Sequence, residues 1–393
     1  MFKTRFISML VLLAAVVTGA VAQTTYKVSV KEGTEDATNW TITPAEATTT
    51  GVAQGTEVTA TYGGVKKVKS VKAVKKAPAG PPSWKLTLSS PAKDLYITAN
   101  GGVIAQQTLD VASTEFTVEM PELTSQTVNI VATDGSGNCW YCTQENMSFA
   151  IGQTYQSSPT MTALGTESSA DVYKMTGAGE IPDGKTVVLS GVTISSGSIT
   201  CSGNANIILL GDNTVSAAQN QAAIKIGGSG TTLTITGSGS LTAQGGQSAA
   251  GIGTDRNGTG GNIVINGGTV TATGGKFGAG IGTGRAQSGS STCGDITING
   301  GTVTATGGSN GGAGIGTGLS ITSGGRNTCG AITIGTGVTM VTATKGSGAP
   351  NSIGNGQADF GGTQTCGTIT IGGDATTYAA GVTTSPFIYP TAP

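Results

Sequence analysis

Residues 262–284 read NIVINGGTVTATGGKFGAGIGTG, and residues 295–318 repeat this text with few changes as DITINGGTVTATGGSNGGAGIGTG. Weaker copies of the same unit start at Thr231, Ala331 and Thr368. Successive starts are therefore separated by 31, 33, 36 and 37 residues. Self-similarity at such a period is the signature of a repeat architecture, in which each unit stacks on its neighbours.

Each unit carries the pattern of three short β-strands. Apolar and polar residues alternate in 295–299 and 302–306, and residues 313–317 fit a third short strand. Glycines mark the corners, where they allow close backbone approach. We therefore predict an all-β fold, a right-handed parallel β-helix, with the handedness taken from the rule for parallel crossovers. The residues expected to point inward are Ile296, Ile298, Val303, Ala305 and Ile315.

Other repeat folds fit the unit less well. A β-propeller would need four strands in about 40–45 residues, and calcium-binding β-rolls need a recurrent aspartate. Asp295 has no counterpart in the other copies. The two-residue period excludes a helical solenoid.

The chain outside the repeats divides by composition. Glycine is concentrated after about residue 160, and residues 1–22 combine an early positive charge, an apolar run and the small residues Ala20-Val21-Ala22 typical of a cleaved secretory signal. We expect no transmembrane segment after signal cleavage. The predicted segments are 1–22 signal peptide, 23–77 small β module, 78–82 Pro-rich linker, 83–164 β-sandwich, 165–380 parallel β-helix and 381–393 C-terminal tail or cap.

A lysine run precedes the linker. Six lysines fall between positions 66 and 76, and prolines follow at 78, 81 and 82. The run is either a basic strip that contacts anionic glycans or an edge strand protected by lysines. The pattern favours the edge strand.

The front half alternates as antiparallel strands do, which predicts a small β-sandwich preceding the solenoid. Its end, MSFAIGQTYQSSPTMTA at 147–163, resembles the last strands of fimbrillin-like domains in secreted proteins of Bacteroidales bacteria. The stretch before the lysine run is similar to modules of the same group. The solenoid resembles the right-handed β-helices of bacterial carbohydrate-binding and pectate-lyase-like proteins. This resemblance implies the fold first and a polysaccharide partner second.

The residues for catalysis or metal binding are sparse. The chain has no histidine, and the acids of the solenoid occupy different positions in their coils, so they are not expected to converge. We predict no catalytic residues, no metal site, no cofactor and no enzymatic activity. A net charge of −1 argues against a nucleic-acid partner.

Three arginines fall in the variable corner of successive copies. Arg256, Arg285 and Arg326 are either a loose basic ladder for a ligand or solvated loop charges. Outward threonines form a second ladder, with Thr269 and Thr271 beside Thr302 and Thr304. Such a face is typical of ice-binding solenoids, but threonine is also common on solvated strands, and the ladder is predicted to be interrupted in the copy from Ala331.

The cysteines fall into two groups. In Cys139-Trp140-Tyr141-Cys142, a small disulfide would hold two aromatics at a loop tip, where Trp140 and Tyr141 would serve adhesion. The second group recurs two residues before the strand in three copies: Cys293, Cys329 and Cys366. Stacked coils would bring these within disulfide range, so either two of them pair or all three form a buried thiol stack.

These features predict an exported protein at the cell surface or outside the cell, or in the periplasm. Its function would be non-catalytic binding of a polysaccharide or host glycan, as an adhesin does. The alternatives are a polysaccharide lyase or hydrolase on the same fold and a purely structural spacer.

Overall fold

The computed structural model describes residues 80–99, 102–372 and 381–390, together with the backbone of several short strands outside these ranges. Every helix or strand assigned in this part of the chain is a β-strand, and no helix there could cross a membrane. The chain divides into two compact units, Met1–Gly80 and Pro81–Pro393. The predicted signal peptide lies outside the described residues.

The strands of the first unit are β1 (Thr25–Tyr26), β2 (Lys31–Glu32), β3 (Glu35–Asp36), β4 (Trp40–Thr43), β5 (Val52–Ala53), β6 (Glu57–Tyr62) and β7 (Lys66–Lys72). Strands β4, β6 and β7 form an antiparallel sheet in that order. Strand β7, which contains most of the lysine run, is therefore an end strand of this sheet in the described part of the chain. This agrees with the edge-strand interpretation of the run.

The second unit begins with a front domain, residues 81–164. Its strands are β8 (Ser83–Ala99), β9 (Gly102–Glu119), β10 (Leu123–Thr133), β11 (Cys139–Phe149), β12 (Thr154–Ser157) and β13 (Thr162–Ala163). The first residues of β8 pair with β12 and the end of β9, whereas its last residues pair with β10 and the start of β9. Register shifts around Ala92 separate the two halves. Bulges of this kind bend a strand and let it pass between the layers of a sandwich.

The core of the front domain lies between these two halves. Trp84 and Leu86 from the first half of β8 belong to the same buried cluster as Leu95 and Ile97 from the second half. Phe149 completes the cluster, with its ring centroid 5.0 Å from that of Trp84. The alternation in the sequence thus produces the sandwich-like packing that was predicted.

The remaining strands build the solenoid. They are β14 (Val172–Met175), β15 (Gly179–Ile181), β16 (Lys185–Ser190), β17 (Thr193–Ile194), β18 (Ile199–Cys201), β19 (Ala205–Leu210), β20 (Asp212–Ser216), β21 (Ile224–Lys225), β22 (Thr232–Gly237), β23 (Ser240–Gln244), β24 (Ile252–Gly253), β25 (Asn262–Ile265), β26 (Thr269–Thr273), β27 (Ile281–Gly282), β28 (Ser290–Cys293), β29 (Ile296–Ile298), β30 (Gly301–Thr306), β31 (Ile315–Gly316), β32 (Ser320–Ile321), β33 (Arg326–Cys329), β34 (Ile332–Ile334), β35 (Val338–Thr344), β36 (Ile353–Gly354), β37 (Ala358–Asp359), β38 (Thr363–Cys366), β39 (Ile369–Ile371), β40 (Thr376–Thr377) and β41 (Phe387–Tyr389).

Three long parallel sheets run along the solenoid, so the fold is a parallel β-helix. In each complete coil, the chain passes through sheet 1 (as in β25), sheet 2 (as in β26) and sheet 3 (as in β27). The predicted alignment of the copies is confirmed, because Ile263 pairs with Ile296, Ile296 with Ile332 and Ile332 with Ile369. All five residues predicted to point inward are fully buried.

The insertion between sheet 3 and the next sheet 1 strand is itself folded. In the last three coils it contributes β28, β33 and β38, which form a fourth parallel sheet, and β32 pairs with β37 beside it. Arg256, Arg285 and Arg326 marked this corner as variable in the sequence, but no strands were predicted in it. These strands are difficult to recognise in the sequence because they are mostly polar. Only every second residue is buried in β28 and β33.

The threonine ladder on sheet 2 continues into the copy that starts at Ala331, with one interruption. Thr271 pairs with Thr304, and Thr304 pairs with Thr342 in the copy that starts at Ala331. A register shift before Met340 restores the alignment after one extra residue. The predicted interruption in this copy is present at Met340, which lies opposite Thr302, while the columns of Thr304 and Thr306 continue.

The front domain packs directly on the first coils of the solenoid. Val188 and Ile208 point outward from sheet 1 and are fully buried in one cluster with Leu210 and with Tyr96 and Val131 of the front domain. These early strands are apolar on both faces because both faces are covered. The predicted boundary at residue 164 thus separates two parts of a single compact unit.

At the far end, the predicted C-terminal tail adds to the solenoid. Strand β41 pairs antiparallel with β35, so that Ile388 lies opposite Thr342. Phe387 and Tyr389 pack against the solenoid core. A solenoid needs such terminal elements because its last coil would otherwise expose an unpaired edge.

Candidate functional site

A groove of about 660 Å³, lined by glycines and by amide, hydroxyl and ammonium side chains, crosses four coils at the corner between sheets 2 and 3. It runs from Gln244 through Thr273 and Thr306 to Lys345. Three coil steps at the strand spacing of about 4.8 Å give it a length of about 14 Å. Such a groove suits an extended ligand that lies along the solenoid axis.

Stacked glycines line the bottom of the groove. A Cβ on Gly275 would lie 1.7 Å from the carbonyl oxygen of Gly246, and one on Gly308 would lie 1.8 Å from that of Gly275. A Cβ on Gly346 would likewise lie 1.7 Å from the carbonyl oxygen of Gly308. Glycine is therefore required here by close approach of consecutive backbones. This explains the second glycine after β26 and β30, at Gly275 and Gly308, and the single Gly346 that follows Lys345 after β35.

The groove walls offer hydrogen-bonding groups and positive charge. Gln244 and Gln247 are exposed, and Lys276 and Lys345 contribute two ammonium groups. No aspartate or glutamate is among the lining residues. The Nζ of Lys345 donates to the carbonyl oxygen of Pro350 at 2.9 Å. The Lys276 side chain is exposed beside the groove.

Two of the three predicted arginines lie next to each other just outside this groove. Gly253 pairs with Gly282 in sheet 3, which places Arg256 and Arg285 in line on adjacent coils. The backbone N–H of Asn257 donates to the carbonyl oxygen of Arg285 at 3.0 Å and fixes this alignment. Arg326 instead lies in the fourth sheet, opposite Ser290. The predicted three-residue ladder is therefore a pair, with Arg326 separate from it.

An aromatic ring joins this arginine pair to the groove. The guanidinium carbon of Arg285 lies 4.5 Å from the ring centroid of Phe277, and the Nζ of Lys276 lies 5.2 Å from the same centroid. Both are within the range of cation–π attraction. Strand β27 is only two residues long, so the loops that carry Phe277 and Arg285 meet across it. The sequence analysis did not connect these residues, because they belong to different corners of the coil.

The electrostatic surroundings of Arg285 are unfavourable for a cation. Burial first, and the neighbouring Arg256 second, lower the pKa of its guanidinium. Its Nε is buried and has no hydrogen-bond partner. Asp255, which directly precedes Arg256, is bound to Lys225, with 2.8 Å between Nζ and Oδ2. In the part of the chain that the structure describes, neither Arg256 nor Arg285 forms an ion pair.

The predicted aromatic loop tip at Trp140 and Tyr141 is wrong. The turn is formed by residues 134–138, where the Asp134 carboxylate accepts the backbone N–H of Ser136 at 2.7 Å, and these hydrogen bonds help lower its pKa although burial acts against them. Trp140 and Tyr141 belong to β11, opposite Ala132 and Val131 of β10. Both side chains are half-buried, and Tyr141 packs on the cluster between front domain and solenoid.

Cys139 and Cys142 also lie on β11, three residues apart. Side chains alternate between the faces of a strand, so these two point to opposite faces and do not bridge. All six cysteines of the chain are free thiols in the described structure. Burial raises the pKa of Cys139 to about 11 and that of Cys201 to about 12.

The second cysteine group forms the predicted thiol stack. Cys293 pairs with Cys329, and Cys329 pairs with Cys366, in consecutive strands of the fourth sheet. Cys293 and Cys329 are buried, whereas Cys366 is half-buried. Hydrogen bonding to Cys293 is the main reason why the pKa of Cys329 is raised well above its usual value. Of the two arrangements predicted, the unpaired stack is the one observed.

The aspartates of the solenoid each form hydrogen bonds of their own, at different places in the coils. Asp212 accepts the hydroxyl of Ser240 at 2.8 Å, Asp295 accepts the backbone N–H of Ala331 at 2.8 Å, and Asp359 accepts the amide of Gln357. Within the described residues, no group of three or more acids or cysteines is placed to hold a metal ion. The groove and the arginine pair are thus the features with binding chemistry.

Comparison with known proteins supports the fold. The family model of the β-helix repeat matches residues 233–256, 263–285 and 296–319. These three matches follow consecutive coils and include Arg256 and Arg285. No curated protein and no solved structure matched the chain.

Proposed function

We propose that the protein is exported and binds a carbohydrate without catalysing its cleavage, and that the groove between Gln244 and Lys345 is the binding site. The groove carries this proposal: it is long and open, it is formed by a stack of coils, and amide, hydroxyl and ammonium groups stand along a floor of glycines. Sugar chains present many hydroxyl groups, which amides, threonine hydroxyls and ammonium groups can bind. β-Helix repeats occur in pectate-lyase-like and adhesin-like proteins, which is consistent with this class of partner.

The groove needs no conformational change to accept a linear polymer. Its bottom is backbone, held by the hydrogen bonds of successive coils, such as that from the N–H of Gly308 to the oxygen of Gly278 at 2.8 Å. Preorganisation of this kind lowers the entropic cost of binding. The neighbouring Phe277 offers part of its ring as an apolar surface for a sugar.

Export is the second part of the proposal. It is supported by the pattern of residues 1–22, a charged start, an apolar run and small residues at 20–22. Expression with the native N-terminus, followed by mass spectrometry of the secreted protein, tests it. A mature chain that begins at Gln23 is expected, and an intact Met1 on cytoplasmic protein would contradict export.

Binding is tested on a glycan array with the purified chain and two matched variants. The double change Gln244→Ala and Gln247→Ala removes two exposed amides from the groove, whereas Thr365→Ala alters the fourth sheet outside it. We expect the groove variant to lose affinity for the glycans that the unchanged chain binds, and the control to retain it. Equal binding by both variants would place the site elsewhere.

The same experiment separates the alternatives. A chain that binds no glycan on the array would favour a structural spacer. Release of unsaturated or reducing sugars from a bound polymer would show an enzyme and overturn the non-catalytic proposal.

A further inference from the structure

We propose that Arg285 and Lys276, which both approach the ring of Phe277, form together with Arg256 of the adjacent coil a subsite for an anionic substituent, a carboxylate or a sulfate, on the sugar chain. This inference rests on the proposed function and specifies its ligand class. We call these four residues the cationic subsite.

The three cations are held close together by the fold. Arg256 and Arg285 lie one coil step apart, which is about 4.8 Å between backbones. Lys276 and Arg285 both approach the ring of Phe277, at 5.2 and 4.5 Å from its centroid. The ring thus holds two cations near a third, although like charges repel at this separation.

No acid of the described chain balances this charge. The nearby carboxylate of Asp255 forms its ion pair with Lys225, and its Oδ1 accepts the backbone N–H of Ala222 at 2.8 Å. The protein as a whole carries a net charge of −1, so this local excess of positive charge is not a consequence of a basic composition. Burial first, and repulsion from Arg256 second, lower the pKa of the Arg285 guanidinium, and an external anion would favour its charged form.

Arg285 also has hydrogen-bonding capacity that the protein leaves unused. Its Nε is buried without an acceptor, and a buried donor without a partner is costly. Carboxylates and sulfates present two or more oxygens that match the guanidinium fork, and a hydrogen bond between ionised groups is stronger than a neutral one. An oxyanion is therefore the ligand chemistry that fits Arg285 best.

The position of the subsite links it to the groove. Lys276 lines the groove and also belongs to the subsite. A sugar chain in the groove can therefore place a charged substituent between Lys276 and Arg285 while its backbone remains over the glycines. The groove would select an extended polymer, and the subsite would select its charge.

The test uses one polymer backbone with three charge states: dextran, carboxymethyl dextran and dextran sulfate. The lysine run at positions 66–76 would also attract polyanions, so all chains carry glutamine in place of its six lysines. Binding to immobilised polymers is measured for this background and for Arg256→Gln, Arg285→Met and Arg326→Gln added to it. Arg326→Gln is the matched control, because it removes an exposed arginine of the fourth sheet.

We expect both charged polymers to bind. Their affinity should fall as the salt concentration is raised, because salt screens exposed charges. Arg256→Gln and Arg285→Met should each lower this affinity about tenfold, the value of one charge-assisted hydrogen bond, and Arg326→Gln should leave it unchanged. Stronger binding of one charged polymer identifies carboxylate or sulfate as the preferred group. Arg256 is exposed, so its replacement tests the subsite even if Arg285→Met disturbs the packing on Phe277.

Equal affinity of Arg256→Gln and Arg326→Gln for the charged polymers would overturn the subsite. If the array shows binding to neutral glycans that the groove variant abolishes, and all three arginine variants bind the charged polymers equally, the proposed function stands and the subsite fails. If no glycan and no charged polymer binds, both fail.

Discussion

The hydroxyl of Ser238 lies 3.2 Å from Oδ2 of Asp94, and this hydrogen bond joins the solenoid to the front domain. Asp94 is almost fully buried and also accepts hydroxyl hydrogen bonds from Thr108 at 2.8 Å and Thr133 at 3.2 Å. Tyr96 lies beside it, and burial together with the charge of Asp94 raises the pKa of the Tyr96 phenol. The carboxylate of Asp94 therefore accepts three hydroxyl hydrogen bonds at the otherwise apolar contact between the front domain and the solenoid.

Replacing Asp94 should destabilise the second unit as a whole. Asp94→Ala leaves three hydroxyls without their acceptor, so we expect a loss of about 2–4 kcal/mol in the free energy of unfolding. Ser238→Ala removes only one of the donors and should cost about 1 kcal/mol. Urea unfolding followed by tryptophan fluorescence measures both, and equal effects of the two changes would contradict the central role of Asp94.

The contact between front domain and solenoid predicts the behaviour of a truncated chain. A chain that begins at residue 165 exposes Val188, Ile208 and Leu210, which the front domain buries. A contiguous apolar patch on a β-sheet promotes association. We expect this chain to bind a hydrophobic dye and to aggregate at concentrations where the full chain is monodisperse.

A control for this prediction replaces the three residues by threonine in the truncated chain. Threonine keeps the β-branched shape that suits a strand but is tolerated in water. The triple variant should regain solubility. Aggregation that persists in it would show that another surface is responsible.

The sequence predicted the coil alignment well, for a physical reason. Inward positions such as Ile263, Ile296 and Ile332 must pack on one another, so the same side chain recurs at each coil. The register of neighbouring coils can therefore be derived by aligning the repeats in the sequence. The column formed by Cys293, Cys329 and Cys366 could be predicted for the same reason.

Other features depend on partners that are distant in sequence. Val188 and Ile208 are outward residues whose apolar character makes sense only when Tyr96 and Val131 cover them. Arg285 can approach Phe277 because β27 is only two residues long. This length could not be predicted from the glycine-rich sequence around the strand. Trp140 and Tyr141 were misplaced because the strand begins directly after the DGSGN turn.

The glycine stack under the groove can be tested by adding one methyl group. Gly275→Ala would place its Cβ 1.7 Å from the carbonyl oxygen of Gly246, so adjacent coils would have to separate. We expect a loss of about 3 kcal/mol or more, in the range of severe overpacking. Gly177→Ala is the matched control, since no atom lies within 4 Å of its added Cβ. Thermal unfolding should show a clear drop for the first variant and little change for the second.

Buried thiols predict a loss of stability in alkali. The pKa of Cys201 is raised by burial from 9.0 to about 12, so between these values the folded chain keeps a proton that the unfolded chain releases. The stabilising contribution is therefore complete below pH 9 and is lost as the pH rises towards 12. From pH 8 to pH 10.5 we expect the free energy of unfolding to fall by about 2 kcal/mol through Cys201. Cys201→Ala should remove this part of the pH dependence in urea titrations at the two pH values, whereas Cys142→Ala, at a half-buried position, serves as the control. An unchanged pH dependence in Cys201→Ala would show that other groups cause the alkaline loss.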